Sequence, residues 1–312
     1  MNFKRRGAAA LMAAALSVAA GVPAAGAQSS SDIPNLSSQT NLNQLTQMSS
    51  DLLDFLPKAG AGAGSQTIKR TVQVGGMQRH YTVVVPQGYN PGQAYPVIIG
   101  FGGWQHNADQ ARGYEKLESA AGSRAIIVYA QGVNNAWGGA PYANTSVNTD
   151  VTYTRAVVND LARTHNVDRS RVYAAGLSNG GGMALALACH APDLVDGVAG
   201  VSGAYYNPTV TNCASGRVKT LIMHADNDDI VSYNGGNRHG GQYRDVRSVF
   251  WDFGGKNGCN MNSVNNRRVG NTTVFDPQGC KAKTQVQKVS GGGHTWFTNP
   301  SATRETVNFF LG

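Results

Sequence analysis

The sequence predicts an α/β fold, a mainly parallel sheet with helices on both faces, and three observations predict it. Short apolar runs, YPVIIGF at 95–101 and RAIIVYA at 124–130 among them, read as strands buried on both sides. Helical stretches alternate with such runs, the order that parallel strands joined by crossover helices require. The alternation continues to a closing helix over 302–311, with no internal repeat and no second domain after it.

Taken in order, Lys4, Arg5 and Arg6 precede an apolar run over 8–20, and Ala25-Gly26-Ala27 supplies a small-x-small cleavage site. This predicts a signal peptide over 1–27, cleaved after Ala27, and a secreted, extracellular protein. The run is too short to span a bilayer, so no stable membrane insertion is expected. Residues 28–65 form a separate N-terminal segment. Leu42, Leu45, Met48, Leu52, Leu53 and Leu56 recur at helical spacing, Pro57 ends that helix, and AGAGAG follows as a flexible connector. The catalytic domain is expected over 66–312. It opens with a hairpin, TIKRTVQV and MQRHYTVVVP around Gly75-Gly76. The strand at 95–101 and the strand at 124–130 follow, then a helix over 151–165 with Asp150 as its N-cap. RVYAAGL is a strand, 180–189 a helix, VKTLIMHA a strand, 241–255 a helix ended by glycines, and TQVQKVSGGG a last strand.

Composition excludes other classes. The formal charge of +8 falls to +5 without Lys4, Arg5 and Arg6, which is too dilute for a nucleic-acid surface, and no basic run carries interleaved aromatics. Cys189, Cys213, Cys259 and Cys280 are an even set in an exported chain, which predicts two disulfides. Of three pairings, the sequential one closes short loops and is favoured. No CxxC pair or close His/Cys cluster supports a metal site, and no cofactor is expected. Nothing in the chain specifies an oligomeric state.

The chemistry centres on Gly176-Leu177-Ser178-Asn179-Gly180, a Gly-x-Ser-x-Gly run between a predicted strand and a predicted helix. Such a turn is sharp and strained, and it presents the serine hydroxyl at a helix N-terminus. The Asn179 N–H can face a developing oxyanion. A serine hydroxyl needs a base and an orienting acid. His294 in SGGGHTWF follows a strand and three glycines and is the expected base. His80 and His165 sit in polar stretches and read as surface residues, and His190 as a solvent-facing helix end. The acid belongs to LIMHADNDDIVSY, where Asp226, Asp228 and Asp229 compete. Serine, then aspartate, then histidine is the α/β-hydrolase order. The second oxyanion donor is expected in GFGGWQHN, with Gly103 N–H first and Gly102 N–H second. Trp104, Trp137 and Trp296 lie in loops near the strand ends, where they either line a substrate pocket or pack as buried aromatics.

The stretch from DVTYTRAVV to MALALAC, with HADNDDIVSY and GGGHTWF after it, resembles the secreted polyhydroxybutyrate-depolymerase-like and feruloyl-esterase-like α/β-hydrolases over about residues 70–310. The resemblance implies an esterase with Ser178 as nucleophile and His294 as base. The family pattern His-Gly-Thr-x-Asp-x-x-Val-Pro-Tyr begins at His224, which makes Asp228 the acid, and the cysteine positions support the sequential disulfides. The chain departs from the pattern at Phe101 in place of a histidine, at Ala225-Asp226 in place of Gly-Thr, and at Ser232 in place of proline. The expected function is a secreted serine esterase acting on an ester substrate through an acyl-enzyme. Acyl transfer by the same residues and a non-catalytic binding role are the alternatives.

Overall fold

A computed structural model describes residues 65–312. The leader, the helix over 42–56 and the Gly/Ala connector lie outside the described residues. β1 (Gln66–Val74) and β2 (Met77–Val85) pair as a hairpin. Gly75 and Gly76 turn it at φ 56° and 81°, a backbone that glycine adopts without strain. There follow β3 (Tyr95–Phe101), α1 (Ala108–Glu115), α2 (Leu117–Ala121), β4 (Ile126–Ala130), α3 (Val147–Thr164), β5 (Val167–Leu177), α4 (Asn179–His190) and β6 (Gly197–Val201). The chain continues through α5 (Asn207–Val210), β7 (Lys219–Ala225), β8 (Gly236–Arg238), β9 (Gly241–Tyr243) and α6 (Val246–Lys256). It closes with β10 (Asn260–Val269), β11 (Thr272–Gln278), β12 (Thr284–Val289) and α7 (Ala302–Leu311).

One 10-stranded sheet runs in the order β1-β2-β4-β3-β5-β6-β7-β12-β11-β10. Its centre, from β4 to β12, is parallel, and antiparallel strands form both margins. The carboxyl ends of β5, β6, β7 and β12 therefore lie side by side. Strand alternation divides the core between the two faces. Val97, Ile99 and Phe101 join Val151, Val157, Met183 and Phe253 on one face, under α3, α4 and α6. Ile98, Ile127 and Tyr129 join Ala111, Leu117, Val307 and Phe310 on the other, under α1, α2 and α7. Each buried Val, Leu, Ile, Phe or Met among them stabilises the fold by about 1.5–3 kcal/mol. Disulfides join Cys189 to Cys213 and Cys259 to Cys280. No helix of the described residues is long and apolar enough to cross a membrane.

Several elements differ from expectation. Helix α3 begins a turn early, with Ser146 as N-cap accepting the Thr149 N–H at 3.1 Å. Asp150 faces the core instead. It accepts from Arg79 Nη2 at 3.0 Å, from Gly138 N at 2.7 Å and from Thr145 Oγ1 at 2.7 Å. Helix α6 starts only after the Asp245 cap and runs through Gly254 and Gly255, while residues 241–243 are β9. His165 is buried rather than on the surface, with its ring edge against Tyr89 at 5.5 Å. Strand β6, GVAGV, carries almost no β-forming signal, because small residues suit its contact with α4. Strand β10 is Asn- and Arg-rich and mostly exposed, so no apolar period marks it; its ladder to β11 holds it.

Two predictions follow from buried charges. Arg79 and Asp150 are 2% and 0% exposed, so Asp150→Ala leaves an uncompensated guanidinium in the core. The expected loss is about 3–5 kcal/mol, read from the urea midpoint. Glu115 is fully buried, and neither of its oxygens has a hydrogen-bond partner. Burial first, then the charge of Glu118, push its carboxyl well above the ordinary 4.5. The folded state thus favours the protonated acid. Its contribution is complete below the unfolded value and is lost as pH rises through the folded value. The Tm advantage of Glu115→Gln over the parent protein should therefore grow as pH is raised above the ordinary 4.5. A Tm difference that does not vary with pH would contradict this.

Candidate active site

Ser178 ends β5 and caps α4 with φ 56° and ψ −117°, a strained backbone for a residue with a Cβ. Neighbouring backbone holds it there. Ser178 N donates to Val201 O at 2.9 Å, and Ser178 O accepts from Gly182 N at 3.0 Å and Ala204 N at 2.9 Å. Glycine is required on either side. A Cβ on Gly176 would lie 2.4 Å from the Gly180 backbone, and one on Gly180 would lie 1.9 Å from Phe101 O. Asn179 is buried, and its side chain is tied to the Trp137 backbone, with Oδ1 accepting from Trp137 N at 2.7 Å and Nδ2 donating to Trp137 O at 3.1 Å. Its own N–H, at the first helical position, is an orphan donor of the helix terminus.

The loop after β7 grips the loop after β12 residue by residue. Asp226 Oδ1 accepts from Gly291 N at 3.0 Å, and Asn227 Oδ1 accepts from Gly293 N at 3.1 Å. Asp228 Oδ2 lies 2.8 Å from His294 Nδ1. Of the three competing aspartates, Asp228 is thus the one on the imidazole; Asp226 fastens backbone and Asp229 is exposed. Asp228 Oδ1 accepts from Ile230 N at 3.0 Å and Val231 N at 2.8 Å. Burial alone would push the Asp228 carboxyl up. The hydrogen bonds from His224 and His294 and the charge of His294 outweigh burial and hold it well below the usual carboxylate range. A carboxylate against Nδ1 directs that proton to Nδ1 and leaves Nε2 as the basic nitrogen. Thr295 is linked back to the serine turn: Ser202 Oγ donates to Thr295 O at 3.2 Å, and Ser202 follows the Val201 carbonyl that binds Ser178 N.

The loop after β3 corrects the expected second oxyanion donor. Gly103 does lie beside the serine, since a Cβ on it would be 3.6 Å from Ser178 Cβ. Its N–H, however, donates to Tyr114 Oη at 3.0 Å. Gln105 N and His106 N are engaged by Asn135 O and Gly103 O. Among the described residues, neither the Gly102 N–H nor the Trp104 N–H has a hydrogen-bond partner, so the second expected donor, Gly102, stays free where Gly103 does not. The Gly102 carbonyl accepts from Trp137 Nε1 at 2.9 Å.

Two of the three tryptophans are corrected as well. Trp137 is 2% exposed and edges on Phe101 at 4.9 Å, and Trp296 is 5% exposed and donates to Thr303 Oγ1 at 3.0 Å. Both are core. Trp104 is half-buried and stacks on Tyr142 at 4.2 Å, with the His239 ring edge-on at 4.8 Å. Among the described residues no group of three or more His, Cys, Asp or Glu is arranged to hold a metal ion.

Residues 73–287 match the Esterase family, described as "Putative esterase". The chain belongs to this family. It is 30% identical over 178 residues to "Putative esterase NocK" of Nocardia uniformis subsp. tsuyamanensis, covering 55% of this chain and about half, 52%, of that protein. It is 32% identical over 195 residues to feruloyl esterase C of Emericella nidulans, covering 58% of this chain and 68% of the relative. Its fold matches an acetyl xylan esterase from Aspergillus awamori with a TM-score of 0.59 at 12% identity, over 78% of this chain and 99% of that one. The protein is a carboxylic ester hydrolase with the α/β-hydrolase fold, of the feruloyl-esterase-like kind.

Three side chains at the edge of this esterase's site carry no role in the sequence reading. His106 Nδ1 lies 3.3 Å from Tyr114 Oη, and burial and the charge of His294 lower its pKa. Burial, with Glu115 behind it, pushes the Tyr114 phenol far up, so it stays neutral, accepting from Gly103 N–H. His224 touches Asp228. His106 stands in the quoted GFGGWQHN, three residues past the glycine pair; nothing local marked Tyr114.

The surroundings of the tryptophans predict separable effects. Trp137→Ala should cost about 3–5 kcal/mol of unfolding free energy. Trp104→Ala should cost less, about 0.5–1.5 kcal/mol for the lost ring stack, and act chiefly on KM for ring-bearing esters. Urea unfolding and steady-state kinetics on the two variants check both.

Proposed function

We propose that this esterase is exported and cleaves its substrates through an acyl-enzyme formed on Ser178. His294 Nε2 takes the hydroxyl proton as Ser178 Oγ bonds to the ester carbonyl carbon. Asp228 keeps the imidazole in the required tautomer and stabilises the imidazolium. The oxyanion is held by the Asn179 N–H and, in place of the engaged Gly103 N–H, by the Gly102 or the Trp104 N–H of the same loop. Collapse breaks the bond to the alcohol oxygen, which leaves with the proton from His294. Water then repeats the sequence and releases the acid. The observation that carries this reading is the Asp228–His294 contact at 2.8 Å, made at the same carboxyl edge of the sheet as the strained Ser178 turn.

The predicted leader over 1–27 and the two disulfides support export. Residues 66–312 are the catalytic domain in this reading, and 28–65 an accessory arm. The relative named feruloyl esterase C and the Trp104–Tyr142 stack favour an ester bearing a planar or sugar ring.

Ser178→Ala should abolish hydrolysis of short p-nitrophenyl and feruloyl esters with circular dichroism unchanged. Asp228→Asn should lower kcat by roughly 10³–10⁴-fold, because the amide no longer selects the tautomer. Undiminished turnover in Ser178→Ala would remove the proposal. A panel varying acyl and alcohol parts separately identifies the preferred ester.

A further inference from the structure

The Asp228 carboxylate meets a second histidine. His224 lies on β7 and is 0% exposed. Its Nε2 is 2.8 Å from Val231 O and 3.3 Å from Asp228 Oδ2. A carbonyl only accepts, so Nε2 carries a proton. Nδ1 is buried without any partner, and the ring stands edge-on to Tyr233 at 5.9 Å. An orphaned buried nitrogen costs stability, which a hydrophobic side chain of similar size would avoid. The imidazole is therefore poorly explained as filler. Its one polar contact spans the acid and the carbonyl of the turn that wraps the acid. Ile230 N and Val231 N hold Oδ1 from one side of that turn, and His224 closes the other.

We infer that His224 is a positioning residue for Asp228: its Nε2–H, shared between Val231 O and Asp228 Oδ2, holds the carboxylate in line with His294. The inference rests on the reading of Ser178, Asp228 and His294 given above. His224 faces no substrate and exchanges no proton with it. It acts by removing the freedom of the carboxylate to rotate or draw back along the turn. Without it the 226–231 loop keeps its backbone grip on Gly291 and Gly293, while the acid loses its fixed aim at the base.

The side-chain reach of the substitute separates this role from packing. A glutamine places an amide N–H about where Nε2 stands; an asparagine reaches only as far as Nδ1, and phenylalanine fills the volume without a donor. His224→Gln should keep kcat within roughly threefold of the parent protein, whereas His224→Asn and His224→Phe should lose roughly 10- to 100-fold in kcat with KM little changed. Folded His224→Phe protein with parental kcat overturns the inference. So do Gln and Asn variants with equal kcat, which decide the matter if the Phe variant does not fold. Ser178→Ala is run in the same assay. Its loss of turnover beside unaffected His224 variants would overturn this inference alone, whereas turnover surviving in Ser178→Ala would overturn the reading beneath it.

Discussion

The site depends on the grip between the loop after β7 and the loop after β12. Gly291, Gly293 and His294 each meet the next residue of the run Asp226-Asn227-Asp228. Glycine-rich segments lose much conformational entropy on ordering, and this one contains Gly291, Gly292 and Gly293 at positive φ. Backbone donors tied to side-chain oxygens offset that cost and leave the imidazole one orientation. The acidic run is thus a fastening along most of its length and meets the imidazole only at Asp228.

A second constraint lies at the serine turn. Positive φ at Ser178 is tolerated because three backbone hydrogen bonds and the close passage of the 101–102 backbone leave no room for relaxation. The same crowding decides the neighbouring loop. With Gly103 tied to Tyr114 and Gln105 tied to Asn135, the Gly102 and Trp104 amides are left over on this loop. Buried, high-pKa Tyr114 keeps its proton and can accept from the glycine without competing as an anion. A core of apolar side chains on both faces carries the strain, and the functional groups sit where the strands stop.

Much of this was legible in the chain. The α/β alternation, the Gly-x-Ser-x-Gly turn and the glycine-rich segment before His294 are local signals. They act through backbone stereochemistry, which neighbouring residues determine. The strands β6 and β10 left no such signal, because one is built of small residues and the other is polar on both sides. Asp150 looked like a helix cap because only its sequence neighbours were visible, whereas its partner Arg79 arrives from β2. Trp137 and Trp296 looked like pocket walls for the same reason: a loop position was readable, and the direction of the ring was not.

By itself the sequence determined the order of elements, the small residues that a sharp serine turn demands, and the residue types able to perform nucleophilic chemistry. Only the tertiary structure decided which of three aspartates meets the imidazole, which amides on the loop after β3 stay unpaired, and which of the three loop tryptophans is not buried in the core. The physical reason is distance along the chain. Turns and strands are set by interactions over a few residues. Hydrogen-bond partners such as Gly103 with Tyr114, or Asp228 with His294, are chosen by how parallel strands and covering helices bring remote segments together.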